Sequence, residues 1–411
     1  MRISTRASRA LLTGSIAGIA GLVLAGGIFA KPVALEADRT FGKGGVTSTR
    51  LPVGEHSAAF GLAGTPEGRV VQSVLTMESE FGYVAQYTKR GRLDRSFGDD
   101  GLASLKFGDR SVNPRDVLVG TRGTIYVAGE GKSGQSDGYG TALASLRPDG
   151  SPNRKFIADG LVLAEALEGV TPLEMAMDRA GRIVIVGQRG GMPAANTVVA
   201  RFRPGGRLDA SFANAGVKVF PVTKNQLGRS VAIDSEGRIV VGSPGGAPYR
   251  HEHLIVRLLP NGRFDKRFGG DGRLEIDAVK GYEEITDLAV DSRDRILVTG
   301  DTSARGGTVV RLLPGGGIDR KFGSRGVVRF SWFVPRSLTL DGKGRIYALG
   351  SDEYAGGEVA LLGPNGRPAV TSFVPRTRNL NDGFTDHRNR LVTGGSGSNG
   401  KPTVARLLSP G

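Results

Sequence analysis

The chain has no cysteine, which excludes a disulfide framework and a thiol nucleophile. Four histidines in 411 residues leave little material for a metal centre. No glycine-rich loop follows a strand and opens a helix, so nucleotide binding has no support, and no cofactor is expected. No Ser, His and Asp set stands out for nucleophilic catalysis. Helix-forming runs are scarce. Glycine is abundant at 65 residues, as expected of many short strands joined by tight turns. Beyond residue 30 no apolar run is long enough to cross a bilayer.

The single long apolar run is N-terminal. Arg2, Arg6 and Arg9 precede residues 10–30, which carry no charge. This is the pattern of a secretory signal, with Ile28-Phe29-Ala30 as a fair cleavage site. A run of about 20 apolar residues also has the length of an uncleaved membrane anchor. Both readings put the folded part outside the cytoplasm. Residues 31–37 then read as a linker and 38–411 as one domain.

What the chain has in quantity is a repeat. A turn residue, usually followed by Arg, leads into three or four β-formers. It occurs as Gly68-Arg69-Val70-Val71, Gly123-Thr124-Ile125-Tyr126, Gly181-Arg182-Ile183-Val184 and Gly237-Arg238-Ile239-Val240. It continues as Asp294-Arg295-Ile296-Leu297, Gly344-Arg345-Ile346-Tyr347 and Asn389-Arg390-Leu391-Val392. The spacing of 45–58 residues is the scale of one propeller blade. A short strand precedes each turn, as in Asp287-Leu288-Ala289-Val290, and a third strand follows, as in Leu254-Ile255-Val256-Arg257-Leu258-Leu259. Then comes a loop of the form Pro-x-Gly-x-Leu-Asp-x-x-Phe-Gly-x-x-Gly and a fourth strand. Its aromatic falls at Phe41, Phe97, Phe156, Phe212, Phe268 and Phe322, with a degenerate copy at Phe373.

These positions have physical uses. A large aromatic at one phase in every copy reads as a wedge between blades. Gly45, Gly101, Gly160, Gly216, Gly272 and Gly326 suit positive φ where the chain reverses. Asp38, Asp94, Asp209, Asp265 and Asp319 suit acceptance of turn N–H groups. Asp178/Arg182, Asp234/Arg238, Asp291/Arg295, Asp341/Arg345 and Asp386/Arg390 keep one spacing across the hairpin and read as turn-bracing ion pairs. A fourth-type strand near 45–51 precedes everything else, and a third-type strand near 403–408 ends the chain. Pairing the two closes the ring and removes its open edge. The expectation is an all-β, seven-bladed propeller of four-stranded antiparallel blades.

The segments LDRSFGDDGL (93–102), LDASFANAGV (208–217), FDKRFGGDGR (264–273) and IDRKFGSRGV (318–327) resemble the delta-60 repeat of secreted bacterial proteins. The blades are also similar to NHL-type propeller blades. The resemblance covers about residues 38–411 and implies the fold. It implies no catalytic residue. The seventh copy departs from the pattern, with Val370 for Asp and Thr377 for Gly.

Function is expected where copies differ. The repeated motifs fall on one face, the bottom, and the irregular loops on the other, the top. Tyr249, Arg250, His251 and His253 form the densest chemical cluster, and Tyr282, Glu283, Glu284 and Tyr354 lie in other irregular loops. His-x-His could supply two metal ligands, but a solvated polar loop is the simpler reading, and Asp99-Asp100-Gly101 lacks calcium-loop spacing. The formal charge is +15, or +12 without the three arginines ahead of residue 10. The excess clusters in bottom loops, at Arg154, Lys155, Lys266, Arg267, Arg320 and Lys321 among others. A basic face outside the cytoplasm suits contact with an anionic cell wall or membrane surface, and solubility alone would also explain it. Those loops lack aromatics for base stacking, which disfavours nucleic acid. The reading is a secreted or envelope binding or scaffold propeller, expected as a monomer, with an unidentified protein or glycan ligand on the top loops. The alternative is an extracytoplasmic polysaccharide lyase or hydrolase with its site at the top channel mouth. A third is an envelope structural protein held bottom-down.

Overall fold

Strands such as Val70–Thr76 and Ile183–Arg189 are runs of Val, Ile and Leu, not alternations, because both of their faces are buried. Ile183 and Ile185 enter one apolar core, while Val184 and Val186 enter the next. One strand thus feeds the cores on both sides of its blade.

A computed structural model describes residues 35–50, 57–76, 81–133, 139–190, 196–221, 229–245, 252–276, 283–302, 306–331, 333–352 and 356–410. The chain divides into Met1–Pro32 and Val33–Gly411, and the described residues belong to the second unit. The signal or anchor expected at residues 1–30 lies outside them.

The strands form seven antiparallel sheets, each built around four strands in meander order. The innermost strands of blades 1 to 7 are Ser57–Gly64, Arg110–Val119, Val170–Met177, Ser230–Ile233, Glu283–Val290, Phe333–Leu340 and Asp382–Thr385. Each contacts the next, and the last contacts the first, so together they enclose a central channel. Closure follows the strand count. Val46–Ser48 pairs with Pro402–Leu408, as Val46 opposite Ala405 and Ser48 opposite Thr403. Glu36–Ala37 pairs farther along the same strand.

Every hairpin turn residue has positive φ, including the non-glycine Asp294 and Asn389 at 56° each. The expected turn-bracing pairs form, with Arg182 Nε donating to Asp178 Oδ2 at 2.6 Å and the same bond in four later blades.

The wedge is more elaborate than a lone aromatic. Phe212, Phe268, Phe322 and Phe41 are fully buried, and each lies under a guanidinium from the preceding third strand. Arg201, Arg257, Arg311 and Arg406 stand 4.4–4.7 Å from the ring centroids. The same guanidinium bonds the loop aspartate, as Arg257 Nε to Asp265 Oδ2 at 2.9 Å. It also donates to a carbonyl in the next blade's loop, as Arg201 to Pro260, Arg257 to Pro314 and Arg406 to Lys89. The aspartate's other oxygen accepts the loop N–H two residues on, at 3.1 Å for Arg267 on Asp265. In blade 1 Gln86 replaces the strand arginine, and Arg69 reaches Asp94 instead at 3.0 Å. In blade 2 the pair shrinks to Ser145 and Asn153, bonded at 3.1 Å. The ring slides beneath a glycine of the next loop: a Cβ on Gly206, at φ 90°, would lie 2.6 Å from Phe156.

Phe373 corrects the expectation. It is 54% exposed at the end of Pro368–Phe373, and Val374 is buried instead. Without the aspartate and glycine the seventh loop does not turn the aromatic inward.

Two outcomes follow. Deleting residues 31–52 should strip the outer strand from blade 7 and lower the melting temperature of the whole ring; an unchanged, monomeric melt would contradict closure. Phe212→Ala and Arg201→Ala should each cost about 3–5 kcal/mol in chemical denaturation, the first by a cavity and the second by leaving Asp209 buried and unpaired. A loss below about 1 kcal/mol for either would remove it from the inter-blade contact.

Candidate functional site

Five of the seven inner strands meet their neighbours with a slip in register, seen between Ala59 and Leu62, Pro114 and Asp116, Pro172 and Glu174, Ile285 and Asp287, and Pro335 and Ser337. Such a bulge leaves backbone N–H groups without a ladder partner. They must bond elsewhere or carry a desolvation cost. Carboxylates meet this need, and they span blades. Asp116 accepts Val117 N–H and, from blade 3, Met175 N–H, both at 2.7 Å. Glu174 accepts Val231 N–H of blade 4 at 3.0 Å. Asp287 accepts Leu288 N–H, Leu338 N–H of blade 6 and the Ser230 hydroxyl of blade 4, each at 2.7 Å. Asp382 accepts Gly383 N–H and, across the closure, Leu62 N–H of blade 1, both at 2.7 Å. The four acids stand seven residues ahead of the hairpin turn residue in their blades.

One residue earlier the same positions read Phe60, Arg115, Leu173, Arg229, Thr286, Arg336 and Asn381. With the acids they line a cavity of about 200 Å³ in the channel. Arg115 Nη2 lies 2.7 Å from Glu130 and its guanidinium 5.4 Å from the Phe60 ring. Arg229 Nη2 lies 3.0 Å from Glu284.

Burial governs the protonation of the ring. It pushes Asp116 up to about 7, the charge of Asp287 adding to it and the N–H bonds of Met175 and Val117 working against it. Burial likewise pushes Asp287 up to about 6 despite its hydrogen bonds. Glu174 is raised well above the ordinary range by burial and by the charges of Asp287 and Asp116. Asp382 is raised by burial and by Asp116. The loop aspartates go the other way: burial raises Asp209, but the Ser211 bonds and Arg201 outweigh it and hold it low. Among the described residues no three His, Cys, Asp or Glu side chains converge as a metal site.

The residues expected from sequence fall in three groups. Tyr249, Arg250, His251, Tyr282 and Tyr354 lie outside the described residues. His253 sits on Glu252–Leu258, opposite Pro244 and Ile276, and Glu283 opens the inner strand of blade 5 opposite Thr302. Glu284 faces Arg229 beside the channel cavity. Arg154, Lys155, Lys266, Arg267, Arg320 and Lys321 are all exposed on the wedge loops. Strands alternate direction within a blade, so these loops and the hairpin turns emerge on one face. The channel acids and Arg115, Arg229 and Arg336 were not singled out from sequence. Their constant offset from the turn residue is the signal that would have found them.

Fold and channel define the class: a seven-bladed β-propeller assembled from repeats. The family described as a domain of unknown function (DUF5122) beta-propeller matches residues 181–212, which run from the hairpin turn of blade 3 to its wedge phenylalanine. A comparison with curated proteins finds no match. Among solved structures, virginiamycin B lyase from Staphylococcus aureus aligns with TM-score 0.50 and 9% identity over 89% of this chain and 99% of that one. The polysaccharide lyase Uly1 aligns with TM-score 0.50 and 11% identity over 88% and 91%. The Pan2 WD40 domain of Neurospora crassa aligns with TM-score 0.52 and 9% identity over 89% and 94%. At such identities the likeness is one of fold.

The raised acids predict a pH dependence. Each binds its proton more tightly folded than unfolded, so ionising it costs stability. The cost is absent below the unfolded value near 3.8, grows as pH rises toward about 6 and 7, and is constant above. Each acid contributes a slope of at most about 1.4 kcal/mol per pH unit. The melting temperature should therefore fall between pH 5 and 7 by way of these groups, and Asp116→Asn should flatten that fall. A variant with the wild-type slope would contradict the assignment.

Proposed function

We propose that this chain is an exported binding or scaffold propeller of the delta-60 type, seated by its basic loop face on an anionic envelope surface. The observation that carries the reading is a recurrence of cations at one phase of the repeat. Between each loop Asp or Asn and its buried Phe lie two exposed residues. Five of these six loops place cations there, Arg39 in blade 7, Arg95 in blade 1, Arg154 and Lys155 in blade 2, Lys266 and Arg267 in blade 4, and Arg320 and Lys321 in blade 5, while blade 3 has Ala210 and Ser211. The inward pair of each loop builds the fold, which leaves the outward pair free for a surface. The apolar segment at residues 10–30 supports export, and the first strand, Glu36–Ala37, leads into the wedge loop of Phe41 on this same face. The opposite face is left open to a protein or glycan ligand. A lyase or hydrolase needs an acid and a base available to substrate, whereas the four channel carboxyls are already engaged with backbone N–H groups.

Co-sedimentation of residues 31–411 with anionic vesicles or isolated cell wall tests the reading. Binding is expected at low salt, with up to about 1 kcal/mol from each nearby Lys or Arg. High salt should release it, because such contacts are screened within about 8–10 Å. Changing Arg154, Lys155, Lys266, Arg267, Arg320 and Lys321 to Gln should abolish it. Protein left in the supernatant at low salt would reduce the basic loops to a solubilising surface.

A further inference from the structure

Three of the seven residues at this inner-strand position are arginines, and they occupy alternate blades: Arg115 on blade 2, Arg229 on blade 4 and Arg336 on blade 6. All three line the channel cavity of about 200 Å³. We propose that this cavity binds a small polyanion, a molecule with two or three carboxylate or phosphate groups, held by the guanidinium forks of Arg115, Arg229 and Arg336. The proposal does not depend on envelope adhesion, which concerns the other face.

The arginines are not part of the scaffold. Equivalent positions elsewhere in the ring hold Phe60, Leu173, Thr286 and Asn381, so the bulge needs no charge. Nor are the arginines fully engaged. Arg336 is exposed and has no side-chain partner among the described residues. Arg229 Nε is buried without a hydrogen-bond partner there. The ion pairs with Glu130 and Glu284 each occupy one Nη of a group with five N–H donors, and they orient the fork rather than exhaust it. Planar forks match carboxylate and phosphate oxygens in pairs. Three cations around one small cavity repel each other, and an anion among them relieves that repulsion. The neighbouring carboxyls of Asp116, Glu174, Asp287 and Asp382 offset them only partly, because each is committed to backbone N–H groups and burial raises their affinity for protons. The volume is below the usual 300–1,000 Å³ or so of drug-sized sites and suits a molecule about the size of citrate.

Calorimetric titration of the purified full chain at about pH 5.5 with citrate and with pyrophosphate tests the site. Saturable one-to-one binding of at least one probe is expected. Binding of citrate alone assigns the site to carboxylates, and binding of pyrophosphate alone to phosphates. Arg336→Gln should weaken binding about tenfold or more with no change in the melting temperature of the free protein, and Arg229→Gln should do the same to binding. Lys321→Gln, on the opposite face, should leave it unchanged. The proposal is overturned if neither probe binds below about 10 mM, if Arg336→Gln binds as the wild type does, or if Lys321→Gln weakens binding as much as Arg336→Gln.

Discussion

A guanidinium held between an aspartate, a phenyl ring and the next blade's carbonyl is the contact on which this propeller depends. Arg201, Arg257, Arg311 and Arg406 each make all three interactions. The aspartate shapes the wedge loop, the ring fills the gap between blades, and the carbonyl sets the position of the neighbour. One side chain therefore couples the conformation of a loop to the packing of two sheets. A buried charge of this kind is tolerable because it is paired with a carboxylate and hydrogen-bonded to the neighbouring blade. Where the long side chain is missing, the partner changes with it, as in Gln86 with Arg69 and Ser145 with Asn153.

The channel solves a different problem. Seven inner strands converge on one axis, and the bulges in five of them release N–H groups into a confined space. Acids that reach from one blade to the next satisfy those groups and add a second band of inter-blade bonds inside the ring of wedges. The cost is four carboxyls close together away from water, which raises their affinity for protons. The raised values thus have a structural origin, and they need not signal catalysis.

Exposed cations recur in the wedge loops for the same reason that the repeat exists. In the wedge loop the positions that build the fold point inward, so their neighbours in sequence point outward and are free of packing constraint. Repetition then places Lys or Arg at this phase in five blades. In the channel the arginines follow alternate blades, a pattern that no repeat unit of one blade can produce.

The sequence by itself determined the number of blades, their four-strand order, the hairpins and the closing strand. These rest on local and periodic signals: glycine or Asn/Asp where φ is positive, β-branched runs between turns, and a leftover strand type at each end. The wedge phenylalanines and the turn-bracing Asp/Arg pairs were legible for the same reason, and Phe373 misled because the residues around it no longer form the loop. The strand arginines were visible as letters, but their partners lie in another blade. The channel site was decided only in the tertiary structure. Asp116, Glu174 and Asp287 sit in strand interiors beside a bulge that changes which side chain faces the axis, and Asp382 opens its strand. Their bonds join residues 51 to 320 positions apart, and only a closed ring brings such residues within hydrogen-bonding distance.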